Sequence, residues 1–188
     1  MYETSDFKKG LKIMVEGQPY VIVDFQHVKP GKGNQFSRTK MRSLLSGNNL
    51  ERTFKSGEKF EIPNVENMEM TFLYKDDNGY NFMNQTNFEQ ISMMEHEIGE
   101  SKYYLSENLV VVITLYNDKP VVVDVPNAVN LRVAQTDPGV KGDRVTGATK
   151  PATMESGLVV GVPLHINEGD LLRIDTESGA YVERVNQK

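Results

Sequence analysis

Residues 27–44 read HVKPGKGNQFSRTKMRSL, two strand-like runs joined by a tight turn. Pro30 fixes its own φ, while Gly31 and Gly33 free the backbone on either side of Lys32. With so little bulk beside it, Lys32 is expected to project from the end of a hairpin. Between Phe25 and Leu50 stand five basic residues, Lys29, Lys32, Arg38, Lys40 and Arg42, and no acidic one. Strand side chains repeat with period two, so Arg38, Lys40 and Arg42 should share a face. The stretch predicts a lysine-tipped arm with a basic flank. It is not a phosphate-binding loop, because Gln26 and Gly33 stand where that motif needs a Gly and a Ser or Thr.

Outward from the arm, short strand-like runs alternate with Gly, Pro and Asn turns. Residues 7–13 and Tyr20–Val28 flank the turn Glu16–Pro19. Val21, Val23 and Phe25 alternate with Ile22, Asp24 and Gln26, a mixture suited to a strand of a small barrel. Asn34–Leu45, the turn Ser46–Asn49, Leu50–Lys55 and Lys59–Ile62 complete a first unit. After Pro63 the pattern restarts: Asn67–Lys75 and Tyr80–Asn84 flank Asp76-Asp77-Asn78-Gly79, a hairpin signal. Asn87–Ile98 is the one stretch with helical character, with Phe88, Ile91 and Met94 on its apolar face and Asn87 or Ser92 as cap. Leu109–Tyr116 and Val121–Val125 read as a buried hairpin. After Pro126 come Ala128–Ala134, a loop-rich Thr136–Lys150, then Gly157–Ile166, Leu171–Ile174 and Tyr181–Val185. The expected class is all-β, in modules 1–63, 64–127 and 128–188.

The net charge of −5 is unevenly distributed. Residues 1–63 carry 11 basic and 7 acidic side chains, residues 64–127 carry 3 and 11, and residues 128–188 carry 7 and 8. The first module can approach a polyanion despite the acidic whole, because exposed charges are screened beyond about 8–10 Å at physiological salt. There is no cysteine, which excludes disulfides, thiolate metal sites and cysteine nucleophiles and fits a cytoplasmic protein. No apolar run approaches the ~20 residues of a membrane span, and Asp6, Lys8 and Lys9 interrupt the place of a secretory core. His27, His96 and His165 fall one per module without metal-ligand spacing. Glu95 with Glu97, and Asp76 with Asp77, read as solvated pairs. Met68, Met70, Met93 and Met94 read as gap-fillers of a small core. No catalytic residue, cofactor site or metal site is expected.

The last module also contains KPATMESGLVVGVPLHINEG, which fixes Lys150, Ala152, Gly157, Pro163 and Gly169 over twenty residues. With the Pro30–Gly33 turn and the three-module layout, it makes the whole chain resemble the bacterial elongation factor P family. The resemblance implies an SH3-like, KOW-type barrel followed by two oligonucleotide-binding (OB) barrels, arranged as an L with the outline of a tRNA. It implies a monomeric factor without enzymatic activity that binds both ribosomal subunits between the peptidyl-tRNA and exit sites and relieves stalling at consecutive prolines. Lys32 is then the residue that reaches the CCA end of the peptidyl-tRNA, commonly extended by a lysine-modifying enzyme through β-lysylation or an aminopentanol-type addition. Lys29, Arg38, Lys40 and Arg42 are then contacts to tRNA and ribosomal RNA. The loop with Gly142, Asp143, Arg144 and Gly147, together with Tyr181 and Arg184, is then the small-subunit end. Relatives commonly carry Thr where this chain has Arg144. The competing reading is a ribosome-independent single-stranded RNA-binding protein, which the acidic middle module and the lack of tryptophan oppose.

Overall fold

The computed structural model describes residues 1–139 and 147–186. Its chain divides into two compact units, Met1–Glu66 with Leu115–Val121, and Asn67–Thr114 with Val122–Lys188.

The first unit opens with β1 (Tyr2–Glu3) and a 3₁₀ turn, Thr4–Asp6, followed by β2 (Lys12–Val15), β3 (Gln18–Val28), β4 (Phe36–Ser43), β5 (Asn49–Lys55) and β6 (Lys59–Phe60). Strands β2 to β5 form an antiparallel meander, and β1 pairs with β6. The strand expected over residues 7–13 is shorter and later. Phe7 follows the 3₁₀ turn and buries its ring against Phe54 and Phe60, and Gly10 takes a positive φ before the strand begins at Lys12. Ile13, Val15, Ile22, Met41, Phe54 and Phe60 complete this core.

β7 (Val65–Asp76), whose first two residues still belong to the first unit, and β8 (Gly79–Met83) form the expected hairpin, in which Asp76 Oδ1 accepts the Asn78 N–H at 2.9 Å. The helix expected over Asn87–Ile98 is not formed. Asn84 turns the chain instead: its Oδ1 accepts the N–H groups of Thr86 and Asn87, and its carbonyl accepts that of Phe88. Phe88 sits at φ 61°, 68% exposed. Next comes β9 (Gln90–Met93), where Ile91 faces Phe82 and Met93 faces Tyr80 across the ladder. Only Glu95–Ile98 is α-helical (α1), and Met94 donates its N–H to Glu97 Oε2 at the start. A 3₁₀ segment, Gly99–Tyr104, continues it. Among the methionines, Met70 and Met93 are core, whereas Met94 is 57% exposed.

Strands β10 (Val110–Tyr116) and β11 (Lys119–Asp124) give the sheet order β11-β10-β7-β8-β9. This hairpin is one-sided rather than buried throughout: Val111 and Ile113 point into the core, while Val110 and Val112 are exposed. Strands β12 (Ala128–Thr136), β13 (Thr149–Met154), β14 (Val159–Pro163), β15 (Leu171–Asp175) and β16 (Tyr181–Val185) form a second five-stranded sheet, ordered β14-β13-β12-β15-β16. Its core gathers Val129, Leu131, Val133, Ala152, Met154, Val160, Val162, Ile166, Leu172 and Ile174. The sequence signature of this module is a set of fold requirements. Ala152 is 1% exposed in the core, and Gly157 and Gly169 take positive φ. Lys150 is 8% exposed and donates from Nζ to the Asp137 carbonyl, and Thr136 Oγ1 donates to Pro151 O at 3.0 Å.

Among the described residues, no helix is long and apolar enough to cross a membrane, and no group of three His, Cys, Asp or Glu side chains could hold a metal ion.

Met41 is fully buried beneath the arm, so Met41→Ala should destabilise the first unit by about 2–5 kcal/mol. Chemical denaturation followed by tyrosine fluorescence measures the loss.

Candidate functional site: the lysine-tipped arm

The arm is the end of the β3–β4 ladder, and a β-bulge in β3 sets its phase. Up to Ile22↔Met41 one residue opposes one; the next pair is Asp24↔Lys40, with Val23 as the extra residue. One added residue exchanges the two faces of a strand. Tyr20 and Ile22 therefore face the core before the bulge, and Phe25 does so after it. The mixed pattern of Val21–Gln26 is the imprint of this phase shift.

Aromatic edges run from the core into the base of the arm. Phe54 meets Phe60 at 4.7 Å between centroids, Phe7 meets Phe54 at 6.1 Å and Phe25 at 6.4 Å, and Phe25 meets His27 at 5.2 Å. Edge-to-face pairs of this kind favour a defined geometry beyond their buried area. His27 then hydrogen-bonds across the ladder, its Nδ1 2.6 Å from Oγ of Ser37, which is 1% exposed. One further rung, Val28↔Phe36, ends the pairing. His27 belongs to the arm's packing.

Beyond that rung, residues 29–35 form an exposed loop without regular structure. Lys29, Pro30, Gly31, Lys32 and Gly33 all lie on it, and Lys32 is exposed. Of the two glycines flanking Lys32, only Gly33 uses a backbone closed to other residues, at φ 117°. A methyl group at Gly31 would meet nothing within 4 Å.

Strand β4 alternates as the sequence pattern requires: Ser37, Thr39, Met41 and Ser43 are buried, and Arg38, Lys40 and Arg42 are exposed on the opposite face. The neighbouring strands change its electrostatics. Arg38 stands between Gln26 and Thr53, and Arg42 between Val21 and Asn49, but Lys40 stands between Asp24 and Glu51. Two carboxylates thus flank the middle of the basic stripe. Among the described residues, none of Lys29, Lys32, Arg38, Lys40 and Arg42 forms an ion pair. Lys55, exposed and opposite Phe36, adds a cation near the root of the loop. Sequence reading missed it, and the same period-two register that places Arg38 could have found it.

Of the residues expected at the other end, Gly142, Asp143 and Arg144 lie outside the described residues. Gly147 is exposed at φ 85°. On β16, Tyr181 opposes Ile174 and packs against the C-terminal core, while Arg184 opposes Leu172 and is exposed. Tyr181 is accordingly a core side chain with a partly exposed edge.

The comparisons with known proteins follow the same layout. The elongation factor P KOW-like domain matches residues 3–60, the elongation factor P OB domain residues 65–123, and the elongation factor P C-terminal domain residues 129–184. KOW-like and OB-type barrels in one all-β chain define the class, a multi-barrel translation factor. The protein named Elongation factor P of Bdellovibrio bacteriovorus is 78% identical over 188 residues, all of both chains. That of Thermodesulfovibrio yellowstonii is 47% identical over 187 residues, again covering both chains completely. The chain belongs to the elongation factor P family, and it is a translation elongation factor. A solved structure titled eukaryotic translation initiation factor 5A, from Methanococcus jannaschii, superposes with a TM-score of 0.55 at 21% identity, covering 66% of this chain and 92% of that one. At that identity the likeness concerns the fold alone.

Two expectations follow from the arm's geometry. Gly33→Ala should destabilise the first unit by about 1 kcal/mol or more, whereas Gly31→Ala should be neutral or stabilise it by about 0.4–1 kcal/mol; paired denaturation curves separate them. Arg38→Ala should elute from a heparin column at clearly lower salt, and Lys40→Ala should shift less, because Glu51 and Asp24, the latter shared with Lys9, flank Lys40.

Proposed function

We propose that this chain is a ribosome-binding factor that enters between the peptidyl-tRNA and exit sites and stimulates peptide-bond formation at consecutive prolines. The observation that carries the reading is the exposed Lys32 on the loop of residues 29–35, at the end of an arm stiffened from the core outward. Three modules, 1–63, 64–127 and 128–188, divide the work. The first presents Lys32 to the CCA end of the peptidyl-tRNA; the last, through the loop with Gly142, Asp143, Arg144 and Gly147 and through Tyr181 and Arg184, meets the small subunit. The acidic middle module faces away from RNA phosphates or meets a basic protein. The chain works in the cytoplasm as a monomer and carries no chemistry of its own.

The physical need is one of geometry. Proline attacks as a constrained secondary amine, and a nascent chain ending in prolines is restricted both in φ and at the residue before each ring. The reacting atoms meet poorly. Bracing the peptidyl-tRNA end restores a near-attack arrangement, and every ~1.36 kcal/mol recovered is tenfold in rate. Lys32 exchanges no proton in this scheme; it supplies reach, positive charge and donors for ribose and phosphate oxygens. An amine-bearing extension, added by a lysine-modifying enzyme, improves all three. Lys29, Arg38, Lys40 and Arg42 hold the arm by phosphate contact and by shape, not by reading bases.

In a reconstituted translation reaction on a Pro-Pro-Pro message, Lys32→Ala should abolish rescue and leave a message without prolines unaffected. Equal rescue by the variant would sink the assignment of the tip. Filter binding to unstructured RNA should be weak, and tight ribosome-independent binding would favour a free RNA-binding protein. The intact mass of the protein from its native cell reads directly whether Lys32 carries an addition, and which.

A further inference from the structure

The 3₁₀ segment Gly99–Tyr104 belongs to the middle barrel by its ends. Ile98 before it and Leu105 after it are both buried in that barrel's core, and Ser101 Oγ donates to the Val123 carbonyl of β11 at 3.2 Å. Its last side chain leaves that barrel, since Tyr104 packs against the core of the C-terminal one. The Tyr104 hydroxyl lies against the β15–β16 turn, 3.1 Å from where a Cβ on Gly179 would stand. Burial first, then the carboxylates of Glu100 and Asp175, holds this phenol above the usual tyrosine range. Tyr103, beside it, faces the turn between β13 and β14, with Cε1 3.8 Å from a Cβ placed on Gly157. The Tyr103 ring is covered by Lys102 Nζ at 4.9 Å, and that amine is bonded to Glu95 of α1. Leu109 packs against both cores. The C-terminal barrel and the middle barrel's residues Asn67–Thr114 and Val122–Val125 lie in one compact unit.

We propose that Tyr104 is an inter-barrel strut, a positioning residue that fixes the middle and C-terminal barrels at one angle, with Gly179 the bare turn that lets the strut seat. A tyrosine suits this role: two rotatable bonds carry a large rigid ring, so locking it costs little side-chain entropy for the area it buries. Beyond the short connection after Asp124 and the Leu109 and Tyr103 contacts, the Tyr104 ring is what resists rocking of the two barrels. The use of such a strut rests on the reading of the chain as a ribosomal factor, in which the C-terminal barrel must arrive in place whenever the rest of the factor docks. A factor whose barrels rock populates the docking orientation for only a fraction of the time, and its apparent affinity falls by that fraction.

The chain has no cysteine, so spin labels can be placed cleanly at Asp77→Cys and Glu183→Cys, two exposed positions on the middle and C-terminal barrels. The label–label distance distribution should be narrow with Tyr104 present and at least twofold broader in Tyr104→Ala. An unchanged width overturns the strut. In the Pro-Pro-Pro reaction, unlabelled Tyr104→Ala should need ~tenfold more factor for half-maximal rescue while keeping its saturating rate. A broadened distribution with no change in that concentration overturns the positioning role. Gly179→Ala approaches the same contact from the other side and keeps the test alive if Tyr104→Ala fails to fold. It should shift or broaden the distribution, and Tyr104→Phe, which removes the hydroxyl facing the new methyl, should largely restore it. Equal effects of Gly179→Ala in both backgrounds would mean turn strain alone, and would overturn the contact. Should the parent chain show no rescue at all, the functional reading fails while the distances still decide the strut.

Discussion

One extra residue in β3 sets the phase of the arm. Val23 is inserted between the pairs Ile22↔Met41 and Asp24↔Lys40, and everything beyond it on that strand changes face. Were Val23 paired regularly opposite Lys40 instead of bulged out, Asp24 and Gln26 would point into a core lined by Phe7 and Met41, at the cost of burying a carboxylate. With it, Phe25 joins the aromatic cluster and His27 reaches Ser37. Bulges also sharpen local twist, and this one lies where the ladder leaves the body of the barrel and becomes an arm. The tip lysine is exposed because of a loop, and the ladder that carries the loop takes its phase from a bulge nine residues before Lys32.

The parts of the fold that were legible in the sequence are those with a local cause. The β3–β4 hairpin around Pro30–Gly33, though closed by a seven-residue loop (29–35) instead of a tight turn, the β4 alternation that puts Arg38, Lys40 and Arg42 outward, and the Asp76–Gly79 hairpin each depend on a few neighbouring residues. What was not legible depends on partners far away in the chain. Phe88, Ile91 and Met94 fall at helical spacing, yet Ile91 and Met93 are claimed by Phe82 and Tyr80 across the sheet. The Asn84 side chain, holding two N–H groups, turns the chain before a helix can start. The weakening of the basic stripe at Lys40 was hidden for the same reason: Asp24 and Glu51 lie outside the window that looked free of acid, and only the register brings them alongside.

The C-terminal signature looks different once its residues have surroundings. Lys150, Ala152, Gly157 and Gly169 serve folding: a buried amine on a carbonyl, a buried core position, and two turns that need a left-handed backbone. A motif specific enough to mark a family is thus carried largely by packing constraints, whereas the tip residues that carry the proposed function are exposed and make few contacts.

The pinning of the β12–β13 connection has a consequence for how this end of the protein can vary. Thr136 is tied to Pro151, Asp137 to Lys150, and Gly139 passes so close to the Leu164 carbonyl that a Cβ there would lie 2.6 Å from it. The ends of the connection are therefore held by the barrel, independent of what lies between them. At Gly139 the barrel leaves no room for a side chain, so a substitution there would push the connection away from the end of β14. Where this connection leaves the barrel is therefore set by a bare backbone against a carbonyl.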